Sequence, residues 1–231
     1  MSADLGRLLG GVRAVLLDFD GPVCSIFAGH PAPQVAGELV NVLRRRGVDV
    51  PPGLASEQDP LEVLRRTGAT GNQGDTRAIE DALCAAERQA AETAQPTPYG
   101  REVIVAAWQL GVAVAVVSNN SADAVTAYLK KHRLAAYISP IVGRPYAEPT
   151  RMKPNPEPVL NAVRALSAAP GQCVLIGDSL SDIEAGQAAG VQVIGYANRA
   201  AKVAAFRAAG ATQVITGMDI VANLLVERAT L

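Results

Sequence analysis

Residues 12–21 read VRAVLLDFDG, a nearly unbroken apolar run that ends abruptly in two aspartates and a glycine. A short apolar run that stops at polar residues is typical of a buried parallel strand reaching a loop. Two later stretches have the same form. Residues 112–117 lead into residues 118–120 (SNN), and residues 173–176 lead into residues 177–179 (GDS). We therefore predict three strands of one buried sheet, each followed by a polar loop.

Shorter apolar segments predict further strands at residues 138–142, 191–195 and 213–215. Stretches with helical spacing lie between the strands, and Trp108 is expected in the core because it lies at helical spacing from Ile104. Strands that alternate with helices predict a parallel sheet covered on both faces. The predicted fold class is therefore α/β.

Residues 25–95 interrupt this alternation, because they contain no clear strand. Helices are predicted near residues 33–46, 60–67 and 76–94, separated by turns that contain proline and glycine. Two prolines and a glycine in residues 96–100 are typical of a hinge. We therefore expect a core formed by residues 1–23 and 98–231, with an inserted helical cap formed by residues 24–97.

Composition narrows the class of protein. The chain has 231 residues, of which 49% are hydrophobic and 19% charged, as expected for a globular protein. A net charge of −1 provides no basic field for nucleic acid or anionic lipid, so we expect a small-molecule partner. Three widely spaced cysteines favour reduced thiols, and the apolar runs are too short to span a bilayer. These features predict a cytoplasmic protein.

Polar side chains follow each of the three main predicted strands. They are Asp18, Asp20, Ser118, Asn119, Asp178 and Asp182. Ligands bind at the carboxyl ends of such strands, and carboxylates that meet there raise one another's pKa. A hard divalent cation offsets this charge, and Mg²⁺ accepts carboxylates while leaving room for phosphate oxygens. Lys153, followed by Pro154, is a candidate for further positive charge.

Taken in order, these motifs resemble the haloacid dehalogenase superfamily, in its phosphoglycolate phosphatase-like branch with a small helical cap. The matching motifs are DFDG at residues 18–21, Ser118 after VAVV, Lys153-Pro154, and GDSLSD at residues 177–182. Each motif alone is weak, but the ordered set is specific and spans most of the chain. The resemblance implies a Rossmann-like core with an inserted helical cap.

The resemblance also implies catalytic roles. Asp18 would attack phosphorus and form an aspartyl-phosphate, while Asp20 would protonate the leaving oxygen and later activate water. Ser118 and Lys153 would hold the oxygens of the phosphoryl group, and the main-chain amide of Asn119 would add a donor. Phosphoryl transfer requires mainly positioning and charge neutralisation, which suits this set of groups.

The same resemblance implies a Mg²⁺ site. Asp18, the main-chain carbonyl of Asp20, and Asp178 would be its ligands, with Asp182 as a further ligand or as support for the others. The expected activity is hydrolysis of a small phosphorylated metabolite, a phosphate monoester.

Two alternatives remain open at this point. A sugar-phosphate mutase would pass the phosphoryl group to a substrate hydroxyl, and a receiver-like phospho-acceptor would only store it. A receiver needs no helical insertion between its acidic strand and the next one, which disfavours it. A true dehalogenase is disfavoured because that branch lacks an acid/base aspartate at the position of Asp20. The sequence identifies neither the substrate nor the oligomeric state.

Overall fold

The structure is a computed structural model and describes residues 2–229. Its strands are β1 Ala14–Leu17, β2 Cys24–Ser25, β3 Gln95–Pro96, β4 Ala113–Val117, β5 Ile141–Val142, β6 Cys173–Gly177, β7 Gln192–Tyr196 and β8 Gln213–Ile215. Six of them form one sheet in the order β5-β4-β1-β6-β7-β8. Every pairing in this sheet is parallel. The predicted α/β fold with a parallel sheet is confirmed.

Helices cover both faces of the sheet. The α-helices among residues 2–229 are α1 Ser2–Gly11, α2 Ala32–Arg45, α3 Pro52–Ala55, α4 Pro60–Ala69, α5 Gln73–Thr93, α6 Gly100–Gln109, α7 Ala122–Lys131, α8 Glu157–Ala165, α9 Leu180–Ala188, α10 Ala201–Ala208 and α11 Asp219–Ala229. Helices α1, α6, α7 and α11 cover one face of the sheet, and α8, α9 and α10 cover the other. None of the helices in residues 2–229 combines the length and apolarity that crossing a membrane requires.

Alternate residues of β1 pack against opposite layers, as the two-residue period of a strand requires. Val15 and Leu17 belong to a cluster with residues of α1, α6, α7 and α11. Ala14 and Leu16 belong to a second cluster with residues of α8, α9 and α10. Because both faces are covered, every position of β1 has to be apolar, and all four are buried.

The segment between β2 and β3 contains helices α2 to α5. β2 and β3 pair in antiparallel fashion, so the two ends of this segment lie side by side. Its helices enclose a separate apolar cluster, which Met152 joins from the later part of the chain. The predicted helices at residues 33–46, 60–67 and 76–94 correspond to α2, α4 and α5. The division into a core and a cap remains a proposal.

Two expectations are wrong in detail. β2 and β3 lie at the two ends of a region that was expected to contain no strand. Each has only two residues, which are too few to give a periodic signal in the sequence. Trp108 is 54% exposed, although its spacing from Ile104 predicted burial. It lies in the last turn of α6, where its ring contacts Tyr137 edge-on at 5.2 Å between centroids and the remainder faces outward.

The strand order reverses at β1. From β1 the sheet extends to β4 on one side and to β6 on the other. In open parallel sheets, ligands bind in the crevice outside the carboxyl ends of the strands at such a point. Asp18 is the first residue after β1, so it lies at this crevice.

Candidate active site

Residues that follow β1, β4 and β6 line one cavity because these three strands are neighbours. The cavity has a volume of about 710 Å³. Its lining includes Asp18, Asp20, Ser118, Asn119, Lys153 and Asp178, together with Arg65 and Pro60 from α4. The predicted side chains from distant parts of the chain therefore face one space, and α4 lies across it.

Asp18 lies at the base of the cavity and is 8% exposed. Its main-chain N–H donates to Ile176 O on β6 at 2.9 Å, which fixes the backbone where β1 ends. Its Oδ1 accepts from the Phe19 N–H at 2.7 Å and lies 3.0 Å from Lys153 Nζ. The carboxylate is therefore held in one orientation beside a fixed positive charge.

Lys153 is 1% exposed, so its charge is almost fully removed from water. Its Nζ donates to Asp182 Oδ1 at 2.6 Å and to Val117 O at 2.7 Å, in addition to its ion pair with Asp18. Burial alone lowers the pKa of Lys153, but Asp18 and Asp182 outweigh burial and hold this pKa above its ordinary value. The ammonium group therefore stays charged between two acidic side chains.

Asn119 clamps the main chain of Lys153. Its Oδ1 accepts from Lys153 N at 2.9 Å, and its Nδ2 donates to Lys153 O at 3.0 Å. Arg65 Nη2 from α4 donates to the same carbonyl at 3.1 Å. The Asn119 side chain is thus engaged with Lys153, and any contact with a ligand falls to its main chain.

Ser118 stabilises the loop that follows β4. Its Oγ accepts from the Asn120 N–H at 3.0 Å and donates to Asn120 Oδ1 at 3.2 Å. Ser121 then caps α7 by accepting from the Ala124 N–H. Ser118 therefore lies in the cavity wall with its hydroxyl held within its own loop.

Asp182 lies in the first turn of α9 and is fully buried. Its Oδ2 accepts from Ser179 Oγ at 2.6 Å and from the Ser179 N–H at 3.0 Å, while Oδ1 accepts from Lys153. Both carboxylate oxygens thus have donors. Gly177 leaves room for this side chain, since a Cβ atom there would lie 2.3 Å from Asp182 Cγ.

Asp178 approaches from the end of β6. Its Oδ2 accepts from Asn198 Nδ2 at 2.9 Å and from Lys202 Nζ at 2.7 Å. Asp18, Asp178 and Asp182 each offer an oxygen, and these atoms lie within 4.8 Å of one another. The predicted convergence of carboxylates is therefore present for these three residues.

Asp20 lies apart from that group of three. Its Oδ1 accepts from the Ile26 N–H at 3.0 Å. Burial raises the pKa of Asp20 to about 6, with a smaller contribution from Asp178. A carboxyl group with this pKa exchanges protons readily near neutrality, which is the property an acid/base group requires.

The charge balance favours a cation. Burial, followed by the neighbouring Asp182 and Asp178, raises the pKa of Asp18 well above its ordinary value, and Lys153 only partly opposes this effect. An ionised Asp18 therefore needs further positive charge. The donors around it are carboxylate oxygens, which a hard divalent ion such as Mg²⁺ prefers. The residues present thus fit a site for a divalent metal ion.

Sequence reasoning did not single out Lys202, Asn198 or Arg65. Asn198 follows β7, so the strand-end rule that found Asp18 and Asp178 applies to it, but its strand was only a minor candidate. Lys202 lies in α10 and Arg65 in α4, and neither carries a motif. Their contacts with Asp178 and Lys153 depend entirely on packing.

Gly21 lies in the loop between β1 and β2 and offers a test of how closely this loop is packed against Asp178. It has φ +109°, and a Cβ atom there would lie 2.4 Å from Asp178 Cγ. We expect Gly21→Ala to lower the free energy of unfolding by at least about 1–3 kcal/mol, as backbone strain of this kind does. Denaturant unfolding measures the change.

Gly37→Ala is the matched control for this substitution. Gly37 lies within α2, and no heavy atom lies within 4 Å of a Cβ placed there. It is expected to leave stability unchanged or raise it by up to about 1 kcal/mol, since alanine favours helix. Wild-type stability in Gly21→Ala would contradict the packing described here.

The sequence itself matches a known family. Residues 60–196 match the family described as haloacid dehalogenase-like hydrolase, which is more than half of the chain. This match lies downstream of Asp18. A phosphoglycolate phosphatase of Salmonella paratyphi A is 31% identical over 98 residues, which is 42% of this chain. The aligned stretch spans 38% of that relative's length.

Solved structures with a similar fold match a larger share of this chain than the curated sequences do. A predicted phosphatase from Clostridium acetobutylicum has a TM-score of 0.71 and 16% identity, covering 94% of this chain and 99% of that chain. A putative beta-phosphoglucomutase from Bacteroides vulgatus has a TM-score of 0.68 and 18% identity, with complete coverage of both chains. At these identities the likeness establishes the fold alone.

Proposed function

Since this chain belongs to the haloacid dehalogenase-like hydrolase family, we propose that it is a magnesium-dependent phosphatase with Asp18 as its nucleophile. One observation carries the proposal. Lys153 Nζ lies between Asp18 and Asp182, 3.0 Å and 2.6 Å from their oxygens, at the cavity where Asp178 also converges. A fixed cation beside a buried carboxylate suits the binding and transfer of a phosphoryl group.

The first half of the reaction transfers the phosphoryl group to the protein. Asp18 Oδ attacks phosphorus, a new O–P bond forms, and the bond from phosphorus to the leaving oxygen breaks. Asp20 gives its proton to that leaving oxygen, so the alcohol departs neutral. Lys153 and donors of the loop at residues 118–120 offset the charge on the phosphoryl oxygens.

The second half releases phosphate. Water attacks phosphorus while Asp20, now ionised, takes its proton. The bond between phosphorus and the Asp18 oxygen breaks, which frees inorganic phosphate and returns both aspartates to their starting states. The same residue thus acts first as an acid and then as a base.

Three groups would hold Mg²⁺ in this proposal: carboxylate oxygens of Asp18 and Asp178, and the main-chain carbonyl of Asp20. Such an ion would supply positive charge close to the phosphoryl oxygens, where negative charge develops. Both oxygens of Asp182 already accept hydrogen bonds. We therefore assign Asp182 mainly to holding Lys153.

The size of the cavity supports a proposal for the class of substrate. A volume of about 710 Å³ suits a small metabolite, and α4 lines it with Arg65. We propose a small phosphate monoester as substrate and the cytoplasm as the compartment, with no nucleic-acid or membrane partner. The phosphoglycolate phosphatase relative is consistent with this class.

A phosphatase assay tests the proposal. Purified protein is incubated with p-nitrophenyl phosphate and a panel of phosphorylated metabolites, with and without Mg²⁺, and inorganic phosphate is measured. We expect Mg²⁺-dependent release of phosphate. A phosphorylated isomer without free phosphate would instead indicate the mutase alternative, and a stable phosphoprotein would indicate a phospho-acceptor. Absence of all three products would contradict phosphoryl transfer.

Metal binding gives a separate prediction. We expect chelation with EDTA to abolish phosphate release and added Mg²⁺ to restore it. In the wild-type protein Mg²⁺ should raise the melting temperature, because a ligand that binds the folded state stabilises it. Asp178→Asn should remove this thermal shift by removing a ligand charge.

Asp123→Asn is the control for the metal prediction. Asp123 is exposed in the first turn of α7 and is not among the residues that line the cavity, so it undergoes the same change of Asp to Asn away from the site. The Mg²⁺-induced shift should be unchanged in this variant. A shift of wild-type size in Asp178→Asn would remove Asp178 from the metal site.

A further inference from the structure

A buried ionic group joins α5 to the loop that follows β5. Arg144 Nε donates to Glu80 Oε1 at 2.7 Å, and Arg144 Nη1 donates to Glu87 Oε1 at 2.6 Å. The side chains of Arg144 and Glu87 are 0% exposed, and that of Glu80 is 1% exposed. Burying three charges is costly, and a well-packed apolar group often gives equal stability. A contribution to the stability of the fold therefore does not by itself explain why these three charges are buried together.

The group is hydrogen-bonded directly to the loop at residues 119–121. Glu87 Oε1 accepts from Asn120 Nδ2 at 3.1 Å, and Glu87 Oε2 accepts from the Ser121 N–H at 2.9 Å. Arg144 donates from Nη1 to Asn119 O at 3.1 Å and from its main-chain N–H to Asn120 O at 3.1 Å. Side-chain and main-chain groups of the loop are thus held by Glu87 and Arg144.

From this loop the contacts continue to the candidate nucleophile. Asn119, whose carbonyl accepts from Arg144, clamps both main-chain groups of Lys153. Lys153 in turn lies 3.0 Å from Asp18. A shift of Arg144 would therefore reach Lys153 through two buried contacts, from Arg144 to Asn119 and from Asn119 to Lys153, and a shift of Glu87 would act on the same route through its ion pair with Arg144.

We propose that Glu87 and Arg144 are positioning residues that hold the loop at residues 119–121, and through it Lys153, in the geometry needed for phosphoryl binding. This inference rests on the proposed phosphatase function. Glu87 lies on α5, the last helix of the inserted segment. The inserted segment thus supports the loop at residues 119–121 through α5, in addition to lining the cavity through α4.

A role in positioning the loop can be distinguished by experiment from a role in selecting the substrate. Glu87 and Arg144 contact the loop but are not among the residues that line the cavity. Their loss should therefore weaken the binding of every phosphorylated ligand by a similar factor. Inorganic phosphate, which has no leaving group, should be affected as well. A residue that selects the leaving group would leave phosphate binding unchanged.

Glu87→Gln is the first test. The amide keeps one acceptor but places an NH₂ group against either the Ser121 N–H or the donors from Arg144 and Asn120. We expect kcat with p-nitrophenyl phosphate to fall by about 100-fold, the size that a misplacement of about 1 Å produces. The dissociation constant for inorganic phosphate, measured by calorimetry, should rise about 10-fold.

Asp81→Asn is the matched control. Asp81 lies on the same helix and accepts from Tyr146 Oη at 2.8 Å, so it also joins α5 to the loop after β5. That contact is exposed and does not reach residues 119–121. We expect kcat and phosphate binding within about twofold of wild type, as for surface substitutions generally.

A second variant decides the case if Glu87→Gln fails to fold. The triple change Glu80→Gln, Glu87→Gln and Arg144→Met removes all three buried charges together, so none is left unpaired. We expect it to fold with the same loss of kcat and phosphate affinity. The proposal is overturned if either variant folds and stays within twofold of wild type in both measurements.

Absence of turnover in the wild-type protein would contradict the phosphatase function instead. In that case the affinity for inorganic phosphate would still test the positioning role.

Discussion

Asp18→Asn is expected to abolish phosphate release from aryl phosphates, with kcat reduced by at least about 1,000-fold, as for loss of a covalent nucleophile. An amide oxygen is a poor nucleophile and forms no stable acyl phosphate. The reduction should be the same for every substrate, because the phosphoryl group and not the leaving group reacts with Asp18. Steady-state kinetics with p-nitrophenyl phosphate measures the effect.

The fold should tolerate this substitution. Burial and the nearby Asp182 and Asp178 already raise the pKa of Asp18, so a neutral side chain there relieves repulsion. Lys153 keeps its ion pair with Asp182 at 2.6 Å. The melting temperature should therefore stay close to that of wild type. Wild-type turnover in Asp18→Asn would exclude Asp18 as the nucleophile, and Asp123→Asn is again the control.

Lys153→Met is expected to lower both stability and activity. The substitution leaves Asp18 and Asp182 buried without their counter-charge, and breaking a buried ion pair in this way costs about 3–5 kcal/mol. Activity should fall by at least about 100-fold, as when a donor to the transition-state charge is lost. Denaturant unfolding and steady-state kinetics measure the two effects.

Lys131→Met is the control for Lys153→Met. Lys131 pairs with Glu92, but the two side chains are 45% and 67% exposed. Exposed pairs contribute about 0–1 kcal/mol, so little change is expected. Adding Asp182→Asn to Lys153→Met should restore part of the stability, because one uncompensated carboxylate is removed. Equal losses in the Lys153 and Lys131 variants would contradict a buried ionic role for Lys153.

The strand-end argument predicted much of the candidate site. It located Asp18, Ser118 and Asp178 because an apolar run followed by polar residues is visible within ten residues of sequence. Their meeting at one crevice needed the additional fact that β1 lies between β4 and β6. The catalytic and metal roles assigned to these residues remain proposals that the experiments above test.

Other parts of the site were not accessible from sequence. The sequence predicted a ligand contact for the main-chain amide of Asn119, but it gave no sign that the side chain of Asn119 holds the main chain of Lys153, 34 residues later. Glu87 belongs to no motif, and nothing in the neighbouring sequence distinguishes it from other charged residues of a helix. Trp108 had the spacing of a core residue, yet 54% of its surface is exposed in the last turn of α6.

The sequence alone determined the α/β class, the six strands of the larger sheet in their order along the chain, and the polar residues at the strand ends. These properties depend on the period of apolar side chains and on turn residues, which act over a few positions. Only the tertiary structure decided which charges lie together, as with the buried Arg144, Glu80 and Glu87 and with the partly exposed pair of Lys202 and Asp178. Such pairings depend on how complete helices pack, and helix packing is the sum of many weak contacts between segments far apart in the chain.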